Sequence, residues 1–344
     1  MIDGLEILPV RGIGDVTAGD DLAGLITGAA PWLADGDVLV VTSKIVSKAE
    51  GRLVEVPADG PEREEARQRA LAGETARVVA RRGNTTIVET HHGFVMAAAG
   101  IDASNVDKTH LVLLPRDPDA SARRLRAGFR ARGLDVAVIV SDTMGRAWRN
   151  GLTDVALGAA GIDALLDHRG QVDPYGNELS LTQMAVIDEL SAAAELVKGK
   201  CDRVPVAVVR GYPRTTPGDG PGASVLVRDS AGDMFRWGTA EARALGLREA
   251  ALGEHPAAEA APDPAAVHRA LATAGVPAAE LDLAAGTIRL RPAGTGPAAL
   301  IRAGADAQRL RAALLAEDIP TGLAIDDEGV TLTCRSGNEA EAAT

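Results

Sequence analysis

Aromatic side chains are scarce in this chain. Its 344 residues hold three Trp, three Phe and two Tyr, 2% in all, so a core has to be built from Val, Leu, Ile and Ala. Cysteine is nearly absent as well. Cys201 and Cys334 are too few for a disulfide framework or a thiolate metal site. Positive charge is in deficit: the formal net charge of −12 argues against a general nucleic-acid or membrane-surface protein. It leaves room for an anionic substrate, because basic residues can be local. The opening MIDGLEILPV has no basic segment followed by a long apolar core, and no stretch reaches membrane-spanning length, so the expected location is the cytosol. The P-loop pattern GxxxxGK[ST] is missing too, so any nucleotide must be held in another way.

What is present centres on Asp135 to Gly151, DVAVIVSDTMGRAWRNG. The β-branched run Val136 to Val140 suits a strand buried on both faces. It gives way to Ser141, Asp142 and Thr143, read as the strand's end, with Gly145 turning the backbone. A carboxylate and a hydroxyl side by side are oxygen ligands of the kind Mg²⁺ or Mn²⁺ takes. Arg146 and Arg149 beyond them suit an anionic substrate, since a guanidinium grips phosphate or carboxylate with paired hydrogen bonds. The plainer alternative is that Asp142 or Thr143 caps a following helix.

In chain order, residues 5–10 predict a strand that breaks at Pro9, and Asp20 to Ala29 a short helix. Val38 to Val41 predict a buried strand, with Ser43, Lys44 and Lys48 after it as a possible phosphate cradle or as plain surface residues. Residues 56–84, with Arg and Glu interleaved, predict one solvated helix. A strand, a glycine turn, a second strand and a polar loop holding Asp102 and Asn105 come next. His91 and His92 are left out of a metal set, because neighbours in a strand point to opposite faces. A strand at 110–115 and a basic helix at 119–132 lead into the central run. The clearest helix starts near Leu181 and ends at Gly199, and Val204 to Val209 is another buried strand. The expected fold is α+β (mixed α/β), a main domain at 1–252. After it come a Pro/Ala/Glu linker at 253–265, a small C-terminal α/β domain at 266–337 and a disordered tail at 338–344.

Four blocks together, GDVLVVTSKIVSKAEGR, HGFVMAAAGIDASNVD, VSDTMGRAWRNGLTDVALGAAGI and ELVKGK with VPVAVVRG, resemble the coenzyme F420-0:L-glutamate ligase family over roughly residues 5–240. The resemblance implies a GTP-dependent ligase that adds L-glutamate to F420-0 through an acyl phosphate, in coenzyme F420 biosynthesis. By the same likeness Asp102, Asp142 and Thr143 would hold two Mg²⁺ or Mn²⁺ ions. Ile13, Gly14, Asp15, Val16, Ser43, Lys44, Lys48, Asn105, Lys198 and Gly199 would contact GTP, with K⁺ a further candidate ion. Asp142 and Arg146 would serve catalysis. Leu152 stands where a polar Gln is expected. A homodimer acting on small molecules is implied, with no nucleic-acid or membrane partner. About 80 C-terminal residues are too few for the flavin-binding domain of some two-domain relatives, so no flavin is expected. A metal-dependent phosphatase or nucleotide hydrolase, or a GTP-binding regulatory protein, would use the same residues.

Overall fold

The computed structural model describes residues 4–104, 106–200, 202–230, 232–252, 262–276 and 279–334. Asn105, most of the expected linker and the expected tail lie outside them. The chain forms two compact units, residues 1–236 and 237–344.

The first unit opens with β1 (Glu6–Val10), α1 (Leu22–Ala29), β2 (Val38–Thr42), α2 (Ser43–Ala49) and β3 (Leu53–Glu55). Then come α3 (Gly60–Glu74), β4 (Thr75–Arg82), β5 (Thr85–Thr90), β6 (Val95–Ala97), β7 (His110–Val112) and α4 (Pro118–Arg130). It closes with β8 (Ala137–Arg146), β9 (Arg149–Ala160), β10 (Leu166–Asp167), β11 (Gln183–Met184), α5 (Val186–Lys198) and β12 (Val206–Arg210). The central sheet runs β1-β12-β2-β8-β9. Its β2–β8 pair is parallel and its other pairs are antiparallel, a mixed sheet in keeping with the α+β expectation.

The apolar runs sort by strand alternation. Leu39, Val41, Val138 and Val140 enter a core with Ile26, Leu125 and Phe129. Val38, Val40, Ala137 and Ile139 enter a second core with Ile187, Leu190 and Ala194 of α5. Both faces are covered, which is why these strands read as unbroken apolar segments.

Some expectations need correction. Pro9 does not break β1, which pairs only with β12 at the sheet's edge, where a missing N–H is tolerated. The charged segment 56–84 is not one helix: α3 stops at Glu74 and β4 follows, its Arg77 facing Glu89 across the β5 pair and bonded to it. Interleaved charges served a cross-strand ion pair here, and pattern alone did not separate that from a helix face. His91 and His92 lie in a turn rather than a strand, their Nε2 atoms meeting the main-chain carbonyls of Gly73 and of Pro115 and Arg116.

The second unit contains α6 (Thr239–Leu252), α7 (Pro264–Ala274), β13 (Ala279–Asp282), β14 (Thr287–Leu290), α8 (Pro297–Leu315), β15 (Thr321–Asp326) and β16 (Gly329–Cys334). The sheet order is β13-β14-β16-β15, antiparallel throughout. The unit is therefore α+β in kind rather than the expected α/β. Val267, Ala270, Ile288, Leu310, Leu314 and Leu332 share one buried core. Asp263 caps α7, accepting from Ala265 N at 3.0 Å, so the expected linker ends in an ordered helix start.

Candidate active site

The helix-cap alternative for Asp142 fails because no helix follows. β8 runs on through Ser141, Asp142 and Thr143 to Arg146 and turns back into β9. The polar triplet thus sits within a strand, not at its end, and alternation divides it. Ser141 and Thr143 face one way, both donating to Asp154 of β9 at 3.1 and 2.8 Å. Asp142 faces the other way and accepts from Ser43 Oγ at 2.9 Å. Its other oxygen accepts from Thr143 N at 2.7 Å. The Asp142 carboxylate and the Thr143 hydroxyl consequently do not form the side-by-side pair the sequence suggested.

Helix α2 joins the two candidate aspartates. Ser43, its first residue, holds Asp142, and Lys44 pairs with Asp102 Oδ2 at 2.6 Å. The Lys44 ammonium also donates to Ser104 O at 2.9 Å and Ser104 Oγ at 2.8 Å. Asp102 accepts further bonds from Ser104 N at 2.6 Å and Ser104 Oγ at 3.0 Å. The backbone entering this loop is strained: Ala98 and Ala99 have φ of 50° and 54°, a region costing a non-glycine residue on the order of 1–2 kcal/mol. Residues 99 positions apart in sequence meet at α2 because the parallel β2–β8 register sets Thr42 beside Ser141.

The three carboxylates differ in charge balance. Asp142 is half-buried, and desolvation raises its pKa above the ordinary carboxylate range. The nearby negative charges of Asp154 and Asp102 add to that rise, against the hydrogen bonds from Thr143 and Ser43. For Asp102, burial opposes ionisation but the Lys44 and Ser104 hydrogen bonds outweigh it, holding the pKa low. Asp154 is likewise desolvated, yet the Lys198 ammonium at 2.9 Å keeps it low. Among the described residues, Asp142 is the one of the three with no ion-pair partner.

The remaining sequence candidates scatter. Lys48 lies one helical turn beyond Lys44, half-buried. Val16 is buried in the core against which Ile13 packs, whereas Gly14 and Asp15 are exposed. This loop docks at the far end of α2, where Gly19 N donates to Ala49 O at 2.9 Å. Arg146 sits at the exposed hairpin tip, donating to Asn150 O at 3.2 Å. That is four residues, roughly 13 Å, along the strand from Asp142. Leu152 is exposed, and Trp148 meets Phe235 edge-on at 4.7 Å. Gly199 ends α5 with φ 64°.

Lys198, expected on the nucleotide, is instead enclosed, with its side chain 1% exposed and paired to Asp154. Asp154 escaped the sequence reading altogether. Two signals were available: a lone carboxylate at the head of the small apolar run Val155 to Ala160, and a lysine on the α5 stripe that carries Ile187, Leu190 and Ala194.

Two aspartates tied to one lysine-bearing helix, on a mixed α+β frame, gather carboxylate, hydroxyl and ammonium groups at one place. The family model described as F420-0:Gamma-glutamyl ligase matches residues 12–211. Coenzyme F420:L-glutamate ligase of Methanothermobacter thermautotrophicus is 43% identical over 251 residues, covering 68% of this chain and 99% of that protein. The enzyme of the same name from Methanopyrus kandleri is 40% identical over 247 residues, covering 67% and 98%. Its namesake in Halobacterium salinarum is 43% identical over 249 residues, covering 67% and 96%. The chain belongs to the F420-0:gamma-glutamyl ligase family.

Proposed function

We propose that this protein joins L-glutamate to F420-0, in coenzyme F420 biosynthesis, using GTP to activate the acceptor carboxylate as an acyl phosphate. The observation that carries the reading is Asp142: a half-buried carboxylate with no ion-pair partner among the described residues, tethered through α2 to Asp102. Such a donor set fits Mg²⁺ or Mn²⁺. No group of three His, Cys, Asp or Glu residues among those described forms a full cage, and Mg²⁺ ordinarily takes one or two carboxylates with water and substrate phosphates completing its shell. Asp142 and Asp102 would hold the ions, while the Thr143 hydroxyl lies on the other side of β8, donating to Asp154 and accepting from Lys200.

When bound, the cations would neutralise phosphate charge and align the transferring group. Lys44 would exchange Asp102 for a phosphate once that carboxylate turns to a cation, and Lys48 would take further phosphate charge. Amide formation needs a better leaving group than oxide, which the acyl phosphate supplies. The α-amine of glutamate then displaces phosphate. Arg149 and Arg146, at the hairpin, are candidates for the anionic groups of F420-0.

Incubation with F420-0, GTP, L-glutamate and Mn²⁺, followed by mass spectrometry, should show added glutamyl residues with phosphate release that depends on F420-0. Phosphate release that ignores F420-0 would instead mark a hydrolase, and GTP binding without turnover a regulatory protein.

A further inference from the structure

The residues on either side of Asp142 are both pinned from behind the strand. Asp154 lies opposite Thr143 in the β8–β9 register. Its Oδ1 accepts from Thr143 Oγ1 at 2.8 Å, and its Oδ2 accepts from Ser141 Oγ at 3.1 Å and Lys198 Nζ at 2.9 Å. The same ammonium donates to Ser141 Oγ at 3.1 Å and lies 3.3 Å from Glu195 Oε2. Asp154, Ser141 and Lys198 are 2%, 0% and 1% exposed, too enclosed for any of them to touch a substrate. The link to the site is short: Thr143 follows Asp142 in the chain, and its N–H donates to Asp142 Oδ1 at 2.7 Å. Wherever Asp154 holds Thr143, it also sets one oxygen of Asp142.

We propose that Asp154 and Lys198 are positioning residues. They lock Ser141 and Thr143 on the α5 face so that Asp142 is presented, with fixed orientation, to the α2 face. Lys198 thereby acts through Asp154 rather than on a nucleotide. The geometry rests on the protein's own bonds, while the purpose assigned to it rests on the reading of Asp142 as a cation ligand. A buried pair of this kind contributes little net stability over an apolar replacement, but loss of one partner leaves an uncompensated charge inside. The double replacement is therefore the informative variant.

The test is Mn²⁺ affinity of the full chain without substrates, from loss of the free-ion electron paramagnetic resonance signal, together with GTP affinity at saturating Mn²⁺. Asp154→Asn and Lys198→Met should each weaken Mn²⁺ binding at least tenfold. The double variant D154N/K198M, charge-balanced again, should recover part of that loss, and GTP affinity should hold within about threefold throughout. Ser141→Ala, which keeps the ion pair and loses only a hydroxyl, should fold even where the single charge variants do not, with Mn²⁺ affinity lowered about threefold. Normal Mn²⁺ affinity in folded Asp154→Asn, Lys198→Met and Ser141→Ala, with only the melting temperature lowered, would reduce the pair to scaffolding and overturn the proposal. Loss of GTP affinity on Lys198→Met with Mn²⁺ binding intact would restore the nucleotide role and overturn it as well. If the parent protein itself binds no Mn²⁺, the cation reading fails and takes the proposal with it.

Discussion

Asp142 is placed where the fold would be more comfortable without it. Desolvation and two neighbouring negative charges raise its pKa, so the folded state holds its proton more tightly than the unfolded chain does. The linkage then runs against a simple acid effect. The ionised carboxylate penalises the native state above its raised pKa, and the penalty shrinks as pH falls below that value, vanishing once pH is below the unfolded carboxylate's pKa. Two outcomes follow for Asp142→Asn. Mn²⁺ binding and ligation should be lost, measured by resonance titration and mass spectrometry. In metal-free buffer at neutral pH the variant should melt at or above the parent's temperature, by roughly 2–4 °C for each kcal/mol of penalty removed. A metal-free variant that melts well below the parent would show that Asp142 is a structural acceptor for Ser43 instead. Lys48 offers a second check. If it contacts phosphate, Lys48→Ala should weaken GTP binding by about 1.5–3 kcal/mol, the range for hydrogen bonds to charged groups, read by calorimetry with Mn²⁺ present.

The hairpin of β8 and β9 is the element that makes the site, and its tolerance to change should be sharply local. Gly158 of β9 lies where a Cβ would fall 2.1 Å from the Pro118 carbonyl oxygen, at the start of α4. Gly158→Ala must push helix from sheet, so a loss of about 3 kcal/mol or more in a denaturant titration is expected. Gly28, in the last turn of α1, has open space where a Cβ would stand, with no atom within 4 Å. Gly28→Ala should be neutral or stabilising by up to about 1 kcal/mol. In the sequence both are simply glycines in small-residue surroundings. Helix α5 was legible from its apolar spacing except at its start, since it begins at Val186 rather than near Leu181 and Gln183–Met184 form β11 instead; the same spacing carried the position of Lys198. The chemical meaning of that position was not legible, because a lysine on a buried stripe needs a counter-charge, and Asp154 comes from another element 44 residues earlier.

At the scale of the whole molecule, relatives matched over 96–99% of their own length account for about two thirds of this chain. All the candidate site residues fall in the first compact unit, which ends at Arg236, earlier than the boundary at 252 expected from composition. A chain truncated after residue 236 should therefore fold and keep Mn²⁺ and GTP binding, together with ligation. A fragment that is folded by circular dichroism yet inactive would assign the second unit a part in catalysis, and sedimentation of both forms would test the expected homodimer.

The amino-acid order by itself determined the buried strands, the amphipathic α5 and the family, since these rest on local alternation, helical period and motifs readable along one dimension. Only the tertiary structure decided which face of β8 each polar residue takes, that α3 yields to a strand, and that Ser43 reaches Asp142 while Lys198 reaches Asp154. These depend on strand register and on desolvation, and both are set by atoms distant in sequence.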